Sequence, residues 1–276
     1  MKGLDRLRAL VLSLPPIRKA AQHPLRWRAA RLKRLAGALR PAPMFLLGEA
    51  RGGTRCYALP SGQTIVVRHR TRDIDIVAEV LLAPHAYEPP PALGSHLGGP
   101  LRILDAGANI GTFGTFALGR WNVDRMRSFE PDPENAAMLE RTIVLNRATH
   151  CWSSHQAAVS NASGHMTFVS GHFSESRRAE QGEVGIDVRM VDLFTLDHDT
   201  DLLKMDIEGG EWAIISDPRM ADLRARVIVM EWHWRLAPRA DAHAAALDLL
   251  ERAGYEIHAD RVAPETGTGL VWASRR

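Results

Sequence analysis

I-L-D-A-G-A-N-I-G, from Ile103 to Gly111, is an apolar run that closes on an acid and a loop hinged by two glycines. Leu101, Ile103 and Leu104 supply a short buried strand. Gly107 and Gly111 let the backbone turn and approach a ligand closely, and Thr112 to Leu118 can open a helix whose first amides face outward. A nucleotide-like cofactor is the expected occupant, although glycines after a strand also make ordinary turns. Downstream, Met126 to Phe129 reads as a second strand. It ends in Glu130, about twenty residues past the loop, where a carboxylate can accept both hydroxyls of a ribose. Pro131 and Pro133 stop that strand, and Pro133 supplies the fixed φ of a first helical turn before Glu134 to Asn146. The blander role for Glu130 is to solvate a strand end.

Working outward, strands alternate with helices from Leu101 onward. Strands are expected at Leu101–Asp105, Met126–Phe129, Ser153–Val159, Leu202–Asp206, Val227–Glu231, Tyr255–His258 and Gly269–Ala273. Helices are expected at Thr112–Leu118, Glu134–Asn146, Glu211–Ile215 and Ala240–Ala253, so the pattern is that of an α/β fold with a largely parallel sheet. Between Gly164 and Val191 two extended runs, His165–Val169 and Ile186–Val191, flank a polar loop and suggest an inserted hairpin. Ahead of the sheet, Met44–Gly48, Thr54–Leu59 and Gln63–Arg68 read as a small antiparallel meander, followed by a helix from Asp73 to near Pro84.

With 276 residues, 45% of them hydrophobic, the chain can bury one large core and suits a single elaborated domain. Cys56 and Cys151 form neither a disulfide framework nor a metal spacing, which favours a reducing compartment and a cytoplasmic location. No apolar run approaches the roughly 20 residues that span a bilayer. Charge is uneven: residues 1–40 carry eleven lysines and arginines against Asp5 alone. A segment such as Trp27, Arg28, Arg31, Lys33 and Arg34, interleaved with Leu25, Leu32 and Leu35, suits peripheral contact with an anionic membrane. It equally suits a helix packed on the domain by its leucines, with a solvated basic face. Nucleic acid would meet the same charges but is not the partner expected, and oligomeric state is not readable.

Chemistry is suggested by L-L-K-M-D-I-E-G-G-E, residues 202–211, which sets Asp206, Glu208 and Glu211 at the carboxyl end of a central strand, where open α/β sheets bind ligands. Were the extended geometry to continue through Ile207, Asp206 and Glu208 would project to one side and raise one another's pKa, as a general base requires. The competing role for Glu208 and Glu211 is to satisfy a helix N-terminus. V-I-V-M-E-W-H, residues 227–233, delivers Glu231 and His233 to the same end, His233 being a base near neutral pH or a packed histidine between tryptophans. No ligand spacing for zinc is present and no metal is expected; a weak divalent site on Asp206 and Glu208 is the alternative. Trp152, Trp212, Trp232 and Trp234 lie near strand ends and could stack on sugar faces, or simply pack.

In order, D-A-G-A-N-I-G, F-E-P-D-P with its following helix, L-L-K-M-D-I-E-G-G-E and V-I-V-M-E-W-H resemble the motifs of the FkbM family of S-adenosylmethionine-dependent methyltransferases. The segment Arg68–Asp75 leading to Tyr87 resembles the family's pre-domain stretch. The resemblance implies a Rossmann-like class I methyltransferase fold, whose seven-stranded, mostly parallel sheet has an antiparallel last strand and helices on both faces. It also implies O-methylation of a sugar, glycan or hydroxylated natural product. By position, Asp105, Gly107, Ala108, Asn109 and Gly111 would hold the amino acid part of the cofactor and Glu130 its ribose, with Asn146 and Ala157 nearest the adenine; Asp206, Glu208, Glu231 and His233 would be the catalytic set. The chain then divides into a basic helical arm (1–42), the meander and helix (43–100) and the methyltransferase domain (101–276).

Two rivals share the fold. A nicotinamide-dependent oxidoreductase is disfavoured because Asn109 takes the middle glycine position of G-x-G-x-x-G and no Tyr-x-x-x-Lys pair is present. A non-catalytic glycan- or membrane-binding module would have no need of acids at three strand ends.

Overall fold

The computed structural model describes residues 24–82, 87–169, 177–178, 184–196, 198–264 and 266–276. Its centre is a seven-stranded sheet built from β3 (Leu101–Ala106), β4 (Val123–Phe129), β5 (Trp152–His155), β10 (Leu202–Met205), β11 (Val227–His233), β12 (Tyr255–Ala263) and β13 (Thr268–Arg275), in the order β12-β13-β11-β10-β3-β4-β5. All neighbours run parallel except β13, which is antiparallel to both β11 and β12. This is the expected Rossmann-like methyltransferase sheet.

Strand alternation divides the core. Leu104, Ala106, Leu203, Met205, Ile228 and Met230 face α7 (Glu211–Ile215) and α8 (Ala242–Arg252), whereas Ile103, Leu202, Val227 and Val229 face α4 (Thr112–Arg120) and α5 (Pro133–Leu145). Both faces of the sheet are therefore covered, which is why its central strands read as near-continuous apolar runs. Pro133 sits in the first turn of α5, as the sequence predicts, and Asp132 caps the helix by accepting from the amides of Glu134 and Asn135.

The expected strand Ser153–Val159 is instead two. A turn in which the Ala157 amide donates to the His155 carbonyl ends β5, and β6 (Ala158–Ser160) passes to a second sheet, ordered β6-β9-β7-β8. In it β7 (Gly164–Val169) and β9 (Ile186–Asp192) pair antiparallel as the expected hairpin, with β8 (Arg177–Arg178) on the edge and the short α6 (Leu193–Leu196) directly after β9. Most of the polar loop between them lies outside the described residues.

The amino-terminal region departs from a three-stranded meander. Met44–Gly48 falls inside α2 (Ala42–Arg51), because Pro41 and Pro43 preset helical φ ahead of an unbroken apolar run and Phe45 is the side chain buried. Only β1 (Gly53–Ala58) and β2 (Thr64–His69) form a hairpin. α1 (Pro24–Ala38) buries Leu35, leaving Lys33 and Arg34 exposed; residues 1–23 of the basic arm lie outside the described residues. After β2, α3 (Asp73–Val77) runs into a wider π turn at Ala78–Leu82. No helix of the described residues is long and apolar enough to cross a membrane.

Candidate active site

Register brings the acids together. Phe129, Ala106, Met205 and Met230 are successive partners across β4, β3, β10 and β11, so the next residues, Glu130, Gly107, Asp206 and Glu231, share one row at the carboxyl rim of the sheet. Gly107 has φ +79, and a Cβ there would stand 1.7 Å from the Asp206 carbonyl oxygen; the loop after β3 is pressed against the end of β10. Only glycine tolerates both conditions.

Behind this row lies a polar core that the sequence reading missed. Lys204 is 3% exposed, its Nζ donating to the Gly107 carbonyl at 2.5 Å and lying 3.3 Å from Asp105 Oδ1 and 3.8 Å from Asp206 Oδ2. Burial works against its charge, but Asp105 and Asp206 outweigh that and hold its pKa above the ordinary value. The available signal was a lysine inside the apolar run of a central strand, in register with Asp105. Asp105 is fully buried and also accepts from Ser128 Oγ at 2.9 Å, so it braces the loop from behind instead of lining a ligand surface.

The loop organises itself through Glu130 and Asn109. Glu130 Oε2 accepts from the Asn109 amide at 2.7 Å and Oε1 from the Asp132 amide at 3.0 Å, while Asn109 Oδ1 accepts from the Ile110 amide. Burial pushes Glu130 up to about 7 despite these bonds. Ala108 is buried, and Gly111 packs against Leu139 and Trp152. Asn146 has a different task from the one expected. Its side chain accepts from the Thr64 amide at 2.8 Å and donates to the Thr64 carbonyl at 2.7 Å, pinning β2 to the end of α5. Ala157 is packed in the core on the α7 side and offers no polar group to an adenine.

Asp206 and Glu208 do meet, but not through strand alternation. The chain turns after Met205, with Glu208 at φ +53 and Gly209 at φ +96, and this turn carries Glu208 back to 3.4 Å from His233 Nε2. Glu211 is fully buried. It accepts from the Gly209 amide at 2.9 Å and the His233 amide at 2.7 Å, and its Oε1 lies 3.2 Å from His233 Nδ1. Trp212 Nε1 donates to the His233 carbonyl at 2.7 Å, fixing the end of β11 a second time. Asp206, Glu208 and His233 place one ligand-capable atom each within 4.8 Å of one another; His233 is the member that the sequence reading left out of a divalent set.

Electrostatics follow from this crowding. Burial, then the charge of Asp206, raises Glu208 to about 7 and Glu231 to about 8. His233 is pushed to about 10: burial opposes its charge, but the bond to Glu211 and the charges of Glu211, Asp206 and Glu208 prevail. It is therefore an imidazolium at neutral pH and not the free base the sequence suggests. Tyr87, buried against Phe113, has its pKa raised by burial and by Asp206 and Glu231. Of the four tryptophans, Trp152, Trp212 and Trp232 are core residues; only Trp234 is exposed, on a cleft of about 530 Å³ beside Trp232, His243 and Val262.

Residues 105–257 match the methyltransferase FkbM domain. Methyltransferase sdnD of Sordaria araneosa is 28% identical over 200 residues, covering 58% of this chain and 75% of that protein. Among solved structures, methyltransferase FkbM from Methylobacillus flagellatus KT aligns with a TM-score of 0.45 and 17% identity over 63% of this chain, which spans 43% of that chain. Magnesium protoporphyrin IX methyltransferase from Synechocystis PCC 6803, solved with bound SAH, aligns with a TM-score of 0.42 and 12% identity, over 67% of this chain and 77% of that one.

Proposed function

Because this chain belongs to the methyltransferase FkbM domain family, we propose that it methylates a hydroxyl of a sugar, glycan or hydroxylated natural product, using S-adenosylmethionine. The observation that carries this reading is the row Glu130, Gly107, Asp206, Glu231, backed by Lys204. A strand rim carrying these acids suits a ligand bearing ammonium and sulfonium charges, and it would repel the pyrophosphate of a nicotinamide cofactor. The residues present therefore fit the cofactor.

When bound, S-adenosylmethionine supplies an electrophilic methyl on a sulfur that loses its charge on transfer. The loop Gly107–Gly111 would hold its amino acid end, and Glu130 would accept ribose hydroxyls on lone pairs left by the Asn109 and Asp132 amides. Asp105 acts indirectly, by keeping Lys204 charged beneath the loop. The acceptor's proton goes to the carboxylates whose affinity for it lies nearest neutrality, Glu208 and Glu231, while His233, already protonated, orients Glu208. Trp234, exposed next to His233, offers a flat face to a sugar ring.

Calorimetry with S-adenosylhomocysteine and NAD in parallel tests the cofactor; binding of NAD alone overturns the reading. Mass spectrometry of hydroxylated acceptors incubated with methyl-labelled cofactor tests the group methylated, and label on nitrogen or carbon in place of oxygen rejects O-methylation. We further propose a cytoplasmic protein that touches anionic membrane through its basic arm, a reading supported by the exposed Lys33 and Arg34 on α1. Lys33→Glu with Arg34→Glu should lower flotation with anionic vesicles, and unchanged recovery rejects it.

A further inference from the structure

Two glycines shape the cleft beside Trp234. Trp232 is paired with Gly269 across β11 and β13, and the Trp234 amide donates to the Gly267 carbonyl at 2.9 Å. A Cβ on Gly269 would stand 2.3 Å from Trp232 Cζ2, and one on Gly267 would stand 2.4 Å from Trp234 Cδ1, so both indoles lie against bare backbone. His243 at the start of α8 stacks on Trp232, with ring centroids 5.9 Å apart. Trp234 is seated in the same way as Trp232 yet stays 69% exposed, and Val262, which also lines the cleft, is 46% exposed. Large apolar side chains held in the open around one concavity mark a binding surface.

The polar groups on its walls are already engaged. Asp241 Oδ1 accepts from the Ala244 amide, His243 Nε2 lies 2.7 Å from Asp260 Oδ2, and the Thr268 hydroxyl meets Thr266 Oγ1 at 2.9 Å and bonds the Glu231 side chain. Ala240, Ala242, Ala263 and Pro264 complete an apolar lining, and no lysine or arginine among the described residues joins it. A phosphate or nucleotide would meet Asp241 there and no cation. The hydroxyls of a bare sugar would lose water without gaining partners. Flat, uncharged rings laid against the indoles lose neither.

Thr268 joins the cleft to the row of acids. It is the partner of His233 across β11 and β13, it lines the cleft, and its hydroxyl bonds Glu231. Trp234 lies three residues beyond Glu231, about 10 Å at the rise of an extended strand and farther than one pyranose ring reaches. The cleft's volume of about 530 Å³ is that of a small-molecule site. We propose that the cleft bounded by Trp234, Val262 and the start of α8 holds the non-reacting part of the acceptor, and that this acceptor is a neutral alcohol of more than one ring, apolar away from the hydroxyl that is methylated. The hydroxyl's fate rests on the methyltransferase reading; the preference for neutral rings rests on the lining alone.

N-phenyl-1-naphthylamine, a neutral multi-ring probe whose fluorescence rises on leaving water, should bind the full chain at one saturable site. Trp234→Ala should weaken it about tenfold or more, and so should Val262→Arg, which brings a charge to the lining. Both side chains are exposed, so both variants keep the fold, and affinity for S-adenosylhomocysteine should be unchanged in each. Oestradiol, a neutral multi-ring alcohol, should displace the probe; methyl glucoside and glucose 1-phosphate should not. Absence of saturable binding, binding unchanged in both variants, or displacement by either sugar overturns the proposal. So does sedimentation in which the chain is a dimer and Trp234→Ala a monomer, because a second copy then covers the cleft. Calorimetry with S-adenosylhomocysteine on the same samples separates the two ideas: probe binding without the nucleoside leaves the ring-binding cleft standing and removes the methyltransferase reading, and nucleoside binding without the probe does the opposite.

Discussion

The two rims of the central sheet carry charge in opposite ways. At the amino-terminal rim, Asp201 accepts three hydrogen bonds from Arg102 at 2.9–3.0 Å and lies 2.8 Å from Arg226, while Asp199 pairs with Arg125. Burial alone would raise Asp201, but the Arg102 bonds and the flanking guanidiniums hold it below its ordinary range. At the carboxyl rim, Asp206, Glu208 and Glu231 share Lys204 and His233, and two of the three are raised to about 7 and 8. Matched charges stabilise a fold. An excess of one sign, held close among partly buried groups, costs stability and is kept where a ligand or proton is handled.

The largest expected difference between the rims is therefore in turnover. Glu208→Gln and Glu231→Gln should each lower kcat by about 10²–10⁴-fold, the range for losing a group that handles a proton, with affinity for S-adenosylhomocysteine changed only a few-fold. Unchanged kcat in both would erase the distinction. Gly107→Ala comes next. It places a methyl group 1.7 Å from a backbone oxygen at φ +79, and urea unfolding should show a loss of about 3 kcal/mol. Wild-type stability there would mean that the loop and the end of β10 are not in contact.

Glu130 sharpens the contrast through pH. Below its ordinary value of 4.5 the carboxyl is protonated in both the folded and unfolded chain; as pH rises through about 7 the folded chain must ionise it in a buried site, and the stability it had contributed is lost. Measured against Glu130→Gln, the wild type should therefore lose about 3 kcal/mol between pH 4.5 and 8. The lost acceptor oxygen shifts the variant by a constant, so the slope is the readout. A difference independent of pH would show that Glu130 is solvated.

Much of this contrast was legible in the sequence. Alternating apolar runs fixed the parallel sheet, because a strand buried on both faces leaves a continuous hydrophobic record, as in Val227–Met230. The acids were legible because each directly follows such a run. Long-range pairing was not. Asn146 holds Thr64 across 82 residues of sequence, and Glu211 reaches His233 across 22, partnerships that neither periodicity nor local spacing encodes. Met44–Gly48 misled for a local reason, since five apolar residues fit a strand or a helix and the prolines ahead of them decide. Lys204 was overlooked because an isolated lysine in a core strand gains meaning only once its register with Asp105 is known.

The smallest effect belongs to the matched rim. Asp201→Asn keeps the shape but removes the charge that Arg102 and Arg226 share, weakening the bonds that both guanidiniums make to it. Arg102 retains substantial solvent contact, its side chain being 41% exposed, so water compensates part of the loss and the destabilisation should be about 1–2 kcal/mol. Because Asp201 stands at the far end of the strands from Asp206, kcat and S-adenosylhomocysteine affinity should hold at temperatures where the variant is folded. A fall in kcat larger than the fall in stability would mean that the two rims are coupled through β3 and β10, and the division of labour between matched and unmatched charge would fail.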